Sequence, residues 1–314
     1  MLENELHQRP YRGPVTTLLL ILAIVAVGFI FVGPFVGLLA ALPFYPGTML
    51  EMLEALKDPT ADPGLKIPLY IMQGFATLIG LIVGPALFLA RDGKPISVFF
   101  TKNKLEILPM VITIIVVIVF MVVNSVFIEW NSTFDFPSFA DDFERWARGL
   151  EDEAERTTEY LTTFASNWEV LIAIFVIAIL PGIGEELVFR GLIQNELFKA
   201  TKNIHVSIWF AAFLFSAIHF QFFGFVPRLL LGALFGYIYY WSGNLSLAIL
   251  AHFVNNGVSV LAIYFHQKGT FDFDMETPQA APANAVIFAS VVTAGLLYYF
   301  YKYFEHRKPS LPPL

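Results

Sequence analysis

Two adjacent glutamates lie at the end of an otherwise apolar stretch. Glu185 and Glu186 follow the run 171–180, which contains no charged residue, and Arg190 comes four residues after Glu186. An ionisable side chain costs about 2.5 kcal/mol or more at the centre of a membrane-spanning helix, so it usually faces a cavity or a partner. Because residues four apart share a helix face, we expect Glu186 to pair with Arg190. Glu185, turned by about 100°, is then free for chemistry.

Two further pairs of residues occur at helical spacing in apolar stretches. Phe215 and His219 form F-x-x-x-H, and His252 and Asn256 form H-x-x-x-N. Residues four apart project from one helix face, so each pair presents its side chains together. A single imidazole inside a membrane is often a structural hydrogen-bonding group. A carboxylate, two imidazoles and an amide that occur together instead indicate a functional cavity.

The composition requires a membrane. The chain has 314 residues, of which 57 % are hydrophobic and 14 % are charged, with a mean hydropathy of +0.66. Soluble domains carry about a quarter charged residues. The chain has no cysteine, which excludes disulfides and thiolate chemistry. The predicted fold class is therefore all-α, a polytopic helical membrane protein with about eight transmembrane helices.

Eight apolar runs predict the membrane-spanning helices. They cover approximately 15–43, 67–90, 105–128, 168–198, 204–221, 226–241, 243–265 and 284–303. The pair Gly33-Pro34 should bend or end the first helix, and Pro181 should weaken the fourth. Because the stretch "RGLIQNELFKATK" looks helical, the fourth helix should continue to about Lys199, which places Glu185 ~21 Å from its end. The polar patterns then converge at a similar depth.

The loops predict an orientation. Basic residues concentrate on one side of the predicted membrane and acidic residues on the other, so both termini should be cytoplasmic and the acidic segment 129–167 should lie outside. Within this segment Phe143, Trp146 and Leu150 recur at i, i+3 and i+7. The spacing favours an amphipathic helix on the outer membrane surface, and a solvated acidic linker is the alternative.

The chain divides into three segments around the polar patterns. Residues 1–164 contain the N-terminal membrane helices and the acidic outer segment. Residues 165–265 contain all three patterns, and residues 266–314 contain a loop, the last helix and a basic tail. The middle segment is therefore predicted to hold the functional cavity.

The three patterns resemble the signature of the CPBP family of intramembrane proteases, also called the Abi or type II CAAX prenyl protease family. The signature reads "EELVFR" at 185–190, "FSAIH" at 215–219 and "HFVNN" at 252–256. Each motif alone is weak, but three in this order with charges inside apolar runs are specific. The resemblance implies an endopeptidase that cuts a membrane-associated protein or peptide.

The resemblance also implies roles for single residues. Glu185, assisted by His219, would activate a water, and His252 with Asn256 would stabilise the oxyanion. A desolvated carboxylate gains basicity, and donors aimed at developing charge are a large catalytic contribution, so the chemistry agrees with these roles. Glu186, Arg190 and Phe215 would support the fold around them.

A metal ion is the alternative use of the same residues. Glu185, His219 and His252 are a plausible zinc-ligand set. Asn256 is a poor zinc ligand, however, and H-x-x-x-N lacks the H-E-x-x-H arrangement of a helix-borne zinc site. The residues therefore favour a glutamate mechanism without a cofactor, and zinc or another divalent metal stays the alternative.

Two other classes of function use the same observations differently. A non-catalytic membrane scaffold or bacteriocin self-immunity factor would keep the fold without the reaction. An ion-coupled transporter would use the ionisable groups as an ion path, but it predicts a repeat between the halves of the chain, and none is apparent. The expected partners are the lipid bilayer and a membrane-associated peptide or protein, with no nucleic acid. The expected location is the plasma membrane, with several spans.

Overall fold

The computed structural model describes residues 12–94, 96–100, 105–270 and 279–305. Throughout these residues it contains helices and turns and no β-strand. The predicted all-α fold of a polytopic membrane protein is therefore confirmed. The first eleven residues and the basic tail after Glu305, which contribute to the predicted orientation, lie outside the described residues.

Ten helices of seven residues or more follow one another along this part of the chain. They are α1 (Pro14–Phe44), α2 (Met49–Ala55), α3 (Pro63–Arg91), α4 (Ile107–Ser132), α5 (Asp141–Thr162), α6 (Asn167–Thr201), α7 (Ile204–Ala217), α8 (Phe225–Ser242), α9 (Leu245–Gln267) and α10 (Ala283–Glu305). Eight of them occupy the eight predicted runs, while α2 and α5 lie between runs.

Six of the described helices are long and apolar enough to cross a membrane: α1, α3, α4, α6, α9 and α10. Helix α7 has 14 residues and is ~21 Å long, which is shorter than the ~30 Å hydrocarbon core. Helix α8, with 18 residues, is also outside the six. The structure therefore has six candidate spans and two shorter helices where the sequence predicts eight spans.

Three helices contain a π-helical stretch that ends just before a proline: Val27–Val32 before Pro34, Leu78–Val83 before Pro85 and Ile174–Ile179 before Pro181. Proline has no N–H and its ring crowds the carbonyl four residues earlier, and a wider turn accommodates both effects. Helix α1 therefore continues past the Gly33-Pro34 pair instead of ending there, and α6 continues to Thr201 as predicted.

Two glycines let α7 and α8 pack closely. They belong to the stretch "GALFG" at 232–236, whose spacing of small residues predicts such packing. A Cβ at Gly232 would lie 3.0 Å from the Cβ of Ala212, and one at Gly236 would lie 2.8 Å from Cγ2 of Ile208. The prediction is confirmed, because even a methyl group at either position would require the facing residue of α7 to shift.

One apolar core joins most of the long helices. Its buried members come from α1, α3, α4, α6, α7, α8, α9 and α10, and they include Ile21, Leu81, Val116, Leu192, Phe215, Phe235, Ala251 and Phe300. The first and last helices thus pack on the same core as the middle segment. This core surrounds the part of α6 that carries the two glutamates.

Candidate active site

Glu185 and His252 face each other between α6 and α9. The distance from Glu185 Oε2 to His252 Nε2 is 3.8 Å, and the two side chains are 14 % and 4 % exposed. Glu185 lies about half-way along α6, 16 residues or ~24 Å before Thr201. The pair is therefore held deep in the helix bundle.

Glu186 holds the other side of the same imidazole. Its Oε1 atom accepts a hydrogen bond from Arg190 Nη1 at 2.8 Å and another from His252 Nδ1 at 2.8 Å. The side chain of Glu186 is fully buried. The two adjacent glutamates thus approach opposite nitrogens of one histidine, and Glu186 orients the ring that Glu185 faces.

Arg190 is completely enclosed by matched partners. Its Nη1 atom donates to Glu186, and its Nη2 atom donates to the Gly232 carbonyl oxygen at 2.7 Å. The guanidinium carbon lies 4.7 Å from the ring centre of Phe215 and 5.5 Å from that of Phe235. The side chain is 1 % exposed, so Arg190 fixes α6 against α8 and is closed to a substrate.

His219 lies in the turn after α7. The sequence predicts a helix to residue 221, but α7 ends at Ala217. The imidazole Nδ1 of His219 bonds to the Phe215 carbonyl oxygen at 2.8 Å, which is the oxygen that the His219 backbone N–H would use in a continued helix. The backbone N–H bonds to the Ser216 carbonyl oxygen instead. A carbonyl oxygen only accepts, so Nδ1 carries a proton. When the ring is neutral, its Nε2 atom is a hydrogen-bond acceptor.

Phe215 is the common neighbour of the polar groups. Its ring centre lies 5.3 Å from that of His219 and 5.8 Å from that of His252, edge to face in both cases. It also lies under the Arg190 guanidinium. The ring therefore separates the two histidines and fixes their orientations.

Asn256 is anchored by a carbonyl that a proline leaves free. Its Nδ2 atom donates to the Ile177 carbonyl oxygen at 3.0 Å. Ile177 precedes Pro181 by four residues, and Pro181 has no N–H for the usual helical bond to that carbonyl. The amide nitrogen of Asn256 carries a second hydrogen, which this anchor leaves available to a ligand.

A cavity of about 310 Å³ brings the predicted site residues together. Glu185, His219, His252 and Asn256 all line it. Its wall also includes Asn124, Asn255 and Arg228, which the sequence-based interpretation does not include in the site. The sequence does carry a signal for Arg228, because it is the one charged residue of the predicted run 226–241. The basic-residue rule instead assigns it to the outer side of the membrane, near the start of that run.

Helix α5 packs against the loop between α7 and α8. Phe143 and Trp146 contact the ring of Phe222, with centre distances of 5.0 and 5.8 Å. The Phe223 N–H donates to Glu151 Oε2 at 3.3 Å, and burial raises the pKa of the Glu151 carboxyl. The segment 129–167 thus contains the predicted amphipathic helix, and part of its apolar face packs on protein.

The described side chains do not form a metal-ligand set. No group of three His, Cys, Asp or Glu residues within the described ranges is arranged to hold a metal ion. His252 Nδ1 and His219 Nδ1 are bonded to Glu186 and to the Phe215 carbonyl, and these bonds leave both Nε2 atoms available. Zinc therefore stays the alternative cofactor, and no chemical step below uses a metal.

The arrangement is suited to hydrolysis. The Glu185 carboxylate lies 3.8 Å from Nε2 of His252 and shares the cavity wall with His219 and Asn256. A largely buried carboxylate can act as a general base, and amide or imidazole N–H donors can stabilise an oxyanion.

Comparison with known proteins points to the same region. Residues 167–258 match the family model described as "Type II CAAX prenyl endopeptidase Rce1-like". All three polar patterns lie inside the matched segment. The predicted resemblance is therefore confirmed for this part of the chain.

Two curated proteins match over a similar length. "Uncharacterized protein YpbD" of Bacillus subtilis is 30 % identical over 96 residues, which are 29 % of this chain and 46 % of that protein. "Membrane-embedded CAAX protease MroQ" of Staphylococcus aureus is 32 % identical over 109 residues, or 33 % of this chain and 43 % of that protein. The matches thus span less than half of each relative. No solved structure matches the chain.

Proposed function

We propose, from the family match of residues 167–258, that this integral membrane protein is an intramembrane endopeptidase that hydrolyses a peptide bond of a membrane-associated protein or peptide. The observation that carries the proposal is the approach of Glu185 and His252 to 3.8 Å in one cavity that His219 also lines. If these four ionisable or amide groups served only for packing, apolar residues would pack better at that depth. Their presence therefore indicates a chemical role.

Glu185 is the general base. It takes a proton from a water while the water oxygen attacks the peptide carbonyl carbon, and it returns that proton to the leaving amine when the C–N bond breaks. His219 Nε2, as an acceptor, binds the second hydrogen of the water and orients it. The protein contributes no covalent intermediate to this sequence.

His252 and Asn256 stabilise the charge that forms on the carbonyl oxygen. Asn256 offers its second amide hydrogen, and His252, held through Nδ1 by Glu186, directs Nε2 at the cavity, from which its protonated form donates. Preorganised donors of this kind contribute roughly 2.7–4 kcal/mol each to transition-state stabilisation. The positions of both donors are fixed by α6, through Glu186 and the Ile177 carbonyl.

The first test of the proposal is comparative membrane proteomics. Cells with the wild-type protein are compared with cells carrying Glu185→Ala. We expect at least one membrane-associated protein or peptide to accumulate uncut in the variant. Unchanged proteomes together with an unchanged phenotype would instead support the scaffold or self-immunity alternative.

The reaction should not depend on a metal. We expect purified protein to keep its activity in strong chelator and to bind less than one zinc per chain, because Asn256 stands where a true zinc ligand would be needed and no three described His, Asp or Glu side chains are grouped to hold a metal ion. Metal analysis and activity before and after chelation check this. Loss of activity that zinc alone restores would assign Glu185, His219 and His252 as ligands and overturn the glutamate mechanism.

We further propose that both termini are cytoplasmic and that α5 lies outside the plasma membrane. Ser138, just before α5, is exposed, and the chain has no other cysteine to remove. A Ser138→Cys protein should react with a membrane-impermeant maleimide on intact cells. Reaction only after the cells are permeabilised would reverse the orientation.

A further inference from the structure

Arg228 lines the cavity without an acidic partner. Its Nη2 atom donates to Gln221 Oε1 at 2.8 Å, and its Nη1 atom is buried with no hydrogen-bond acceptor. In the described part of the chain, no carboxylate forms an ion pair with this guanidinium, although Glu151 and Glu185 both act on it electrostatically. A buried donor left unpaired costs stability, so its retention needs an explanation.

The other arginine of this region shows what a structural role requires. Arg190 donates to a carboxylate and to a carbonyl and is sandwiched between two aromatic rings. Arg228 has one neutral amide oxygen as acceptor, and its guanidinium lies against the backbone of Gly224, which is also part of the cavity wall. The unmatched arginine is the one that faces the cavity.

We propose that Arg228 binds a carboxylate of the substrate close to the bond that is cut, an inference that rests on the proposed protease function. A guanidinium with a free N–H in a water-poor site selects a carboxylate, because the planar fork matches its two oxygens. Arg228 and Glu185 line the same cavity of about 310 Å³. The carboxylate therefore lies close to the scissile bond that Glu185 acts on.

Charge balance in the cavity supports this assignment. Glu185 alone would repel an anionic substrate, because like charges in a low dielectric interact strongly. Arg228 on the same wall supplies the opposite charge. The carboxylate itself comes from one of two sources, the free end of the peptide chain or an acidic side chain next to the cut.

The test measures binding and needs no cleavage. Full-length protein carrying Glu185→Gln is placed in lipid nanodiscs, and empty nanodiscs correct for partitioning. Three probes are compared by thermophoresis: an N-dodecanoyl leucine-valine-leucine peptide with a free carboxylate, its carboxamide, and a carboxamide whose last residue is glutamate. Each probe is measured again with Arg228→Gln added, and with Arg148→Gln as the control.

Arg148 is a matched control because it lies over the Phe223 ring, 4.2 Å from its centre, on the outer side of the same loop. We expect at least one acidic probe to bind roughly tenfold tighter than the neutral carboxamide, as charge-assisted hydrogen bonds allow. Arg228→Gln should reduce the ratio to about one, and Arg148→Gln should preserve it. Which acidic probe is preferred identifies the source of the carboxylate.

Equal binding of acidic and neutral probes, or a preference that survives Arg228→Gln, would overturn the proposal. If Arg228→Gln does not fold, Arg228→Lys keeps the charge without the fork and should give a smaller ratio than arginine. If the acidic probes bind tighter through Arg228 but no uncut substrate is found by proteomics, the protease proposal fails and the carboxylate site stands. If a substrate is cut but no probe shows a preference that depends on Arg228, the carboxylate site fails and the protease proposal stands.

Discussion

Glu185→Gln should abolish detectable proteolysis and leave the apparent melting temperature in detergent nearly unchanged. The amide has the shape of the carboxylate but cannot take a proton from water, and a general base contributes roughly 100-fold to 10,000-fold to the rate. Glu185 makes no hydrogen bond within the described structure; its nearest polar contact is the 3.8 Å approach to His252. Little folding energy therefore depends on it.

The matched comparison is Glu185→Asp, which keeps the base but withdraws it by about one bond length. We expect this variant to fold and to retain partial activity. Measurements of the cleavage rate and of thermal unfolding on the same preparations check both results. Substantial activity in Glu185→Gln would show that the base lies elsewhere, and strong destabilisation would show that Glu185 is a packing residue.

Arg190→Ala should be among the most destabilising single substitutions in the chain. It leaves Glu186 buried with its charge, removes the bond to the Gly232 carbonyl and empties the space between Phe215 and Phe235. Breaking a buried ion pair costs about 3–5 kcal/mol. Expression, apparent melting temperature and activity should fall together.

Glu186→Ala should lower expression, apparent melting temperature and activity in the same way, because one oxygen of Glu186 binds both Arg190 and His252. The effects of the single and double variants should not add, because the two residues share one network. Lys302→Ala is the control: Lys302 pairs with Glu305 at 2.7 Å on the surface, where a pair contributes about 0–1 kcal/mol. Normal stability in Arg190→Ala would contradict the structural role of the pair.

The sequence predicts those features of the fold that depend on the residues of a single helix or on small residues at helical spacing. The eight apolar runs, the helical continuation past Glu186 and the pairing of residues four apart all follow from helical periodicity and hydropathy. The close packing at Gly232 and Gly236 follows from small residues at helical spacing. None of these features requires knowledge of how distant helices meet.

The rest depends on contacts between helices, which periodicity does not encode. The bond from His252 to Glu186 joins residues 66 positions apart, so the sequence assigns Glu186 to Arg190 alone. His219 lies beyond the end of α7 because its own ring takes a backbone carbonyl. Arg228 enters the cavity only because the loop before α8 folds back against α4 and α5.

The Glu186–Arg190 pair has a second role during synthesis, because the other polar partners of α6 are made after it. Gly232 follows Arg190 by 42 residues, so at about 5–20 residues per second it leaves the ribosome ~2–8 s later. His252 appears later still. During this interval α6 enters the insertion machinery with charges that cost about 2.5–3.5 kcal/mol each at a helix centre. Of the three partners that bond within this network, namely the paired residue on the same helix, Gly232 and His252, only the first is already made. The pair therefore neutralises two of the charges of α6 during biogenesis before it organises the finished site.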